Sequence, residues 1–202
     1  MSNRELVENY LIYKLSQKYP GTVSPPAGTG REALNAVLRS MANKYEQDFM
    51  EQAGDLSPYV AVTRNKAGFN KVMDDMFRDE INWGTVVGLF VVGGATYVQS
   101  FEGGASEPVC HVADWMTDYL DQRINPWIES QGGWDCFVTI YGEDACTNRA
   151  QEDRRKWILG GLVVLAGVLI IVTKNYGDHP TFNLPATPNL LKSEDEVWPS
   201  ES

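Results

Sequence analysis

Cys110 and His111 stand side by side, a thiol nucleophile next to an imidazole base. On a helix, neighbours in sequence project about 100° apart, so thiol and imidazole diverge instead of forming a reactive pair. Cys136, Cys146 and His179 fall in no CxxC or HExxH pattern, which argues against a zinc cluster. Three cysteines cannot all pair, and three reduced thiols fit a cytosolic domain. Acid pairs at Asp74-Asp75, Asp79-Glu80 and Glu143-Asp144 could in principle divide general acid and base roles. Each reads more simply as a solvated helix face or as charge at a helix start. His111, in register with Val112 and Ala113, reads as a half-buried structural residue. With no GxSxG, P-loop or GxGxxG word, the chain is expected to be no enzyme and to hold no metal or cofactor.

The elements behind these residues must then explain the protein. A length of 202 residues allows one domain with a core plus tails. A net charge of -10 opposes binding to nucleic acid, whose phosphates would repel it. Hydrophobic residues make up 43% of the chain, with six Trp, nine Tyr and seven Phe; that excludes a disordered chain. A mean hydropathy of -0.29 excludes a polytopic membrane protein but leaves room for one span. The first residues, MSNRELVENYL, lack the apolar stretch of a signal peptide.

Two stretches carry no charge. Residues 157–173, opening on Trp157 and closing on Thr173, read WILGGLVVLAGVLIIVT. As a helix they would span roughly 26 Å, the short end of the transmembrane range. Arg154, Arg155 and Lys156 before it and Lys174 after it suit the two headgroup layers. Apolar residues on every face favour a membrane anchor over a buried core helix. So late an anchor implies a tail-anchored, cytosol-facing domain. Residues 175–202 follow, with four prolines and five acids against Lys192, and read as a disordered acidic tail.

Residues 81–101 are also uncharged, yet Asn82, Thr85, Thr96, Gln99 and Ser100 interrupt the apolar run and Gly84, Gly88, Gly93 and Gly94 thin it. Asn82 sits where a helix cap belongs. This run is expected to be a central helix wrapped by others. Around it, helical spacing appears at Leu6, Val7, Tyr10, Leu11 and Leu15; at Leu34, Leu38, Met41, Tyr45 and Phe49; and at Phe69, Val72, Met73, Met76 and Phe77. Val109, Val112, Ala113, Met116, Leu120 and Ile124 make a further face, and Asn125-Pro126 is expected to cap a short helix through Trp127 and Ile128 that Gly132-Gly133 ends. The expected architecture is all-α: seven or eight helices at 1–153 with one of them buried centrally, an anchor at 154–174, and a tail at 175–202.

Four segments, in order, carry a resemblance. MSNRELVENYLIYKLSQKYP resembles the fourth Bcl-2 homology motif, LRSMANKYEQDF the third, MFRDEINWGTVVGLFVVGGATYVQS the first, and PWIESQGGWDCFVTIYG the second. Asn82-Trp83-Gly84 together with Gly132-Gly133-Trp134 is the specific part. The chain is identified as a member of the Bcl-2 family, most similar to its pro-survival, Bcl-xL-like branch.

The resemblance implies an apolar surface groove that receives an amphipathic pro-death helix from a relative, preventing mitochondrial outer membrane permeabilisation. Carried over by motif, the groove would comprise Tyr45 and Phe49; Val72, Asp75 and Met76; Asn82, Gly84, Thr85, Val87, Gly88 and Val92; and Tyr141 at one end. A pore-forming pro-apoptotic effector of the same fold is the alternative. Partners would be pro-apoptotic relatives, with homo- or heterodimers conceivable, and the site a mitochondrial outer membrane or endoplasmic reticulum. Two departures stand out. Family survival proteins carry Arg after Asn-Trp-Gly to pair with the ligand's Asp; here Thr85 offers one neutral hydrogen bond instead, so the groove should depend less on that acid. The chain's own third-motif helix, with Leu34, Leu38, Met41, Ala42 and Asn43, has Ala42-Asn43 where a death ligand shows Gly-Asp. Both departures favour a receptor over a ligand.

Overall fold

In the computed structural model the described residues are 3–142 without 27, 29 and 103–105, together with 160, 164–168, 170 and 174. Every regular element among them is helical: α1 (Asn3–Lys18), α2 (Glu32–Ala53), α3 (Ser57–Val62), α4 (Lys66–Met76), α5 (Trp83–Glu102), α6 (Ser106–Tyr119), a π-helical turn (Leu120–Ile124), α7 (Asn125–Ser130) and α8 (Gly133–Tyr141). Residues 164–168 are helical as well.

The uncharged run forms α5, and its side chains explain its place. Val86, Leu89, Phe90 and Val92 are completely buried, because α1, α2, α3 and α6 pack around it. It is, among the described residues, the one helix long and apolar enough to cross a membrane, and it lies mostly inside the fold. Gly93 and Gly94 allow that closeness. A Cβ on Gly93 would meet Met116 Sδ at 2.4 Å, and one on Gly94 would meet Tyr10 Cε1 at 3.1 Å. The apolar stripes of α1, α2 and α6 close on α5 and that of α4 closes on α6 and α3: Leu6, Tyr10, Leu38, Phe49, Phe69, Met73, Val112 and Met116 are all buried.

Asparagine side chains cap two of the helices. Asn65 Oδ1 accepts from the Gly68 amide at 2.9 Å and starts α4. At α5, Asn82 and Thr85 cap each other. Asn82 Oδ1 accepts from the Thr85 amide at 2.9 Å, and Thr85 Oγ1 accepts from the Asn82 amide at 3.0 Å while donating to the Asn82 carbonyl at 2.8 Å. Both side chains are buried, so nothing else competes for these groups. Thr85→Val, which keeps the volume and removes the hydroxyl, is expected to lower unfolding free energy by about 1–2 kcal/mol in a chemical denaturation series.

Several expectations need correction. α3 went unmarked because six residues are too few to show a period; its signal was Pro58 in the first turn, with Asp55 Oδ1 accepting from the Ser57 amide. His111 is exposed, not half-buried, and faces Asp114 at 3.6 Å. The Arg4 guanidinium, also on Asp114, holds that carboxyl below its ordinary value. Asn125 lies inside α7 and does not cap it. Asp75 is no solvated helix-face charge, since its carboxylate is only 9% exposed and paired with Arg78. The Val109 and Cys110 side chains, Glu143, Asp144, Cys146, His179, the flanks Arg154, Arg155 and Lys156, Trp157, Thr173 and residues 175–202 lie outside the described side chains or residues.

Candidate functional site

The walls of the expected groove come from four helices. α2 brings Tyr45 and Phe49, α4 brings Val72, Asp75 and Met76, α5 with the Asn82 before it brings Gly84 through Val92, and α8 brings Tyr141. The structure draws most of these together into one buried cluster containing Tyr45, Phe49, Val72, Met76, Val87, Val92 and Tyr141. Gly88 is the meeting point: a Cβ there would lie 3.2 Å from both Met76 Sδ and the Tyr45 hydroxyl. Tyr141 is joined to this region through Phe137, ring to ring at 5.0 Å, and Phe137 in turn contacts Trp83 at 5.0 Å. Gly84, Thr85 and Asn82 are buried in the α5 cap rather than lining open space.

Polar groups at this wall are few and mostly occupied. Thr85 spends its hydroxyl on Asn82. Arg78 is tied to Asp75. On the α4–α6 side, Tyr119 donates to Asp74 Oδ1 at 2.9 Å; burial, reinforced by that carboxylate, pushes its phenol well up. Tyr45 is different. Its side chain is fully buried, its hydroxyl has no hydrogen-bond partner, and burial with Tyr59 nearby raises its phenol far above the ordinary value.

Tyr59 of α3 is the residue that sequence reasoning missed. Its ring meets Phe49 at 6.1 Å, and its hydroxyl donates to the backbone carbonyl of Leu165. Leu165 and Val168 are buried, at 0% and 3% exposure, and belong to the same apolar cluster as the wall. The described part of the expected anchor thus lies against the domain, with Ile170 turned outward at 56% exposure. The third-motif residues Leu34, Leu38, Met41 and Ala42 are buried in the chain's own core, while Asn43 is exposed and donates to Tyr13 Oη at 2.6 Å.

A polar hollow is lined by residues including Asn3, Asp121, Asn125 and Trp134. Asn3 closes it by donating to Asp121 at 2.6 Å and Asn125 at 3.1 Å and accepting from Trp134 Nε1 at 2.9 Å. These bonds staple the start of α1 to the α7–α8 corner. Among the described residues no group of three or more His, Cys, Asp or Glu side chains could hold a metal ion.

Comparison with known proteins places these elements. Residues 34–134, from α2 to the start of α8, match the family model described as "Apoptosis regulator proteins, Bcl-2 family". Residues 1–18, which contain α1, match "Bcl-2 homology region 4". "Bcl-2-like protein 1" of Mus musculus is 35% identical over 84% of this chain and 96% of its own length. The Homo sapiens protein of the same name is 30% identical with the same coverage. "Apoptosis regulator R1" of Xenopus laevis is 30% identical over 85% of this chain and 77% of its own.

Proposed function

The chain belongs to the Bcl-2 family of apoptosis regulators, and from that premise we propose that it is a survival-promoting member. In this reading the α2–α5 wall, ended by Tyr141, binds amphipathic death-motif helices of pro-apoptotic relatives and so prevents permeabilisation of the outer mitochondrial membrane. The observation that carries it is the seating of residues 164–168: Leu165 and Val168 are buried in the same apolar cluster as this wall, and Tyr59 donates to the Leu165 carbonyl. A surface that buries one apolar helix is shaped to bury another. The burial of Leu34, Leu38, Met41 and Ala42 in the chain's own core supports a receptor over a donor, because a donor helix must expose that face.

Residues 154–174 are proposed to serve two sites, stored against the domain or inserted as an anchor in a mitochondrial outer or endoplasmic reticulum membrane. Their basic neighbours and uncharged centre fit the second use. Residues 1–153 would then be the cytosol-facing regulatory domain and 175–202 an acidic extension beyond the membrane. Dye-loaded liposomes permeabilised by a pro-apoptotic relative test the role. Added full-length chain should suppress release; release caused by the chain alone would assign it to the pore-forming side of the family instead.

A further inference from the structure

Among the described residues of the α2–α5 wall, Tyr45 carries a polar atom that burial leaves without a hydrogen bond. Its hydroxyl is fully enclosed and hydrogen-bonds to nothing. Buried hydroxyls without partners are rare, because each forfeits the bond that water would have made. The surroundings supply no remedy: Gly88 of α5 offers no side chain, Met76 of α4 presents its thioether 3.2 Å from where a Gly88 Cβ would stand, and Tyr59 of α3 has turned its own hydroxyl to Leu165. Thr85, the alternative donor on this wall, is closed into the α5 cap with Asn82. Arg78, the cation at the α4–α5 corner, is held by Asp75. Four helices therefore converge on a protonated phenol with a hydrogen to give and nothing within reach to take it. The described segment that Tyr59 reaches, residues 164–168, has only apolar side chains.

We propose that the Tyr45 hydroxyl is the groove's specificity-determining donor, and that the preferred occupant is an amphipathic helix carrying one oxygen acceptor, a carboxylate or amide, on its otherwise apolar inward face. This rests on the helix-binding reading above and refines it. The described residues 164–168 make no hydrogen bond to this phenol, so an acceptor-bearing helix gains a bond that those residues never make. Burial in a low-dielectric wall strengthens that bond and raises the cost of its absence.

The test uses the full chain and a leucine-faced helical peptide of about 20 residues, long enough to span the wall at 1.5 Å per residue. Asp, Asn or Ala is placed in turn at each inward position, and each peptide is titrated into wild type and Tyr45→Phe. At one position the Asp and Asn peptides should bind wild type at least fivefold more tightly than the Ala peptide. In Tyr45→Phe that preference should shrink to within twofold, with the Ala peptide binding both proteins alike. The free Tyr45→Phe chain should also melt higher, because the unanswered hydroxyl is gone while the ring stays. A preference that survives Tyr45→Phe, an absence of any acceptor preference in wild type, or a lower melting temperature each overturns the assignment. Failure of every peptide to bind wild type would overturn the helix-binding reading itself, and the assignment with it.

Discussion

Replacing Leu165 and Val168 together by glutamate is expected to raise the apparent affinity of the full chain for an amphipathic partner helix by roughly tenfold or more. Both side chains are buried against the domain at 0% and 3% exposure. A carboxylate buried there without a partner costs several kcal/mol, far more than the hydrogen bond from Tyr59 returns. The segment must then leave, and an occupant that competes with the partner is lost. Apparent affinity scales with the fraction of molecules whose binding surface is open, so a segment stored in nine molecules of ten hides about 90% of it. Fluorescence polarisation of a labelled peptide reads the change directly. Ile170→Glu is the control, since position 170 is 56% exposed and should shift affinity little. Equal affinities for all three proteins would mean that the segment and the partner helix do not share a surface.

Phe90→Ala is expected to cost about 3–5 kcal/mol of folding stability, a large part of what a domain of this size holds. Phe90 is fully buried at the middle of α5. Its ring meets Tyr10 of α1 edge-on at 5.3 Å and Trp134 of α8 at 6.3 Å, so one side chain joins the central helix to the first and last helices of the domain. Truncation leaves a cavity that three helices cannot all move to fill. Urea unfolding followed by Trp fluorescence measures the loss, and Phe90→Leu should recover most of it. A loss below about 1 kcal/mol, the size of a surface effect, would contradict this account of the core.

How far the sequence carried depends on which physical signal each element leaves. α5 was legible because uncharged length, an Asn82 cap and glycines at close approaches all favour a buried central helix. α1, α2, α4 and α6 were legible from their stripes, which return to the core side every three or four residues. α3 was not, since six residues cannot display a period, and with it went Tyr59, the one side chain that reaches the backbone of the C-terminal segment. His111 misled because it lies next to Val112, and one step along a helix turns a side chain by about 100°, enough to bring it to the surface. The residues expected in the groove, Tyr45, Phe49, Val72, Met76, Val87 and Val92, lie in the same buried cluster as the rest of the core. Periodicity alone would have placed the same residues in an ordinary core. What the sequence could not show is the satisfaction of each polar atom. Thr85 is a free hydroxyl on paper and a closed cap in space, whereas Tyr45 looks like plain core and holds a hydroxyl without a hydrogen bond.

The central claim is that the α2–α5 wall accepts an amphipathic helix from a partner. Calorimetric titration of the full chain with a panel of death-motif peptides, repeated at several temperatures, tests it most directly. The account predicts sub-micromolar binding to several peptides with a negative heat capacity change, the mark of apolar surface leaving water. It also predicts tighter binding once Leu165 and Val168 are replaced by glutamate. Absence of binding by any peptide, to the chain with its C-terminal segment stored and to the variant with it displaced, would contradict the claim.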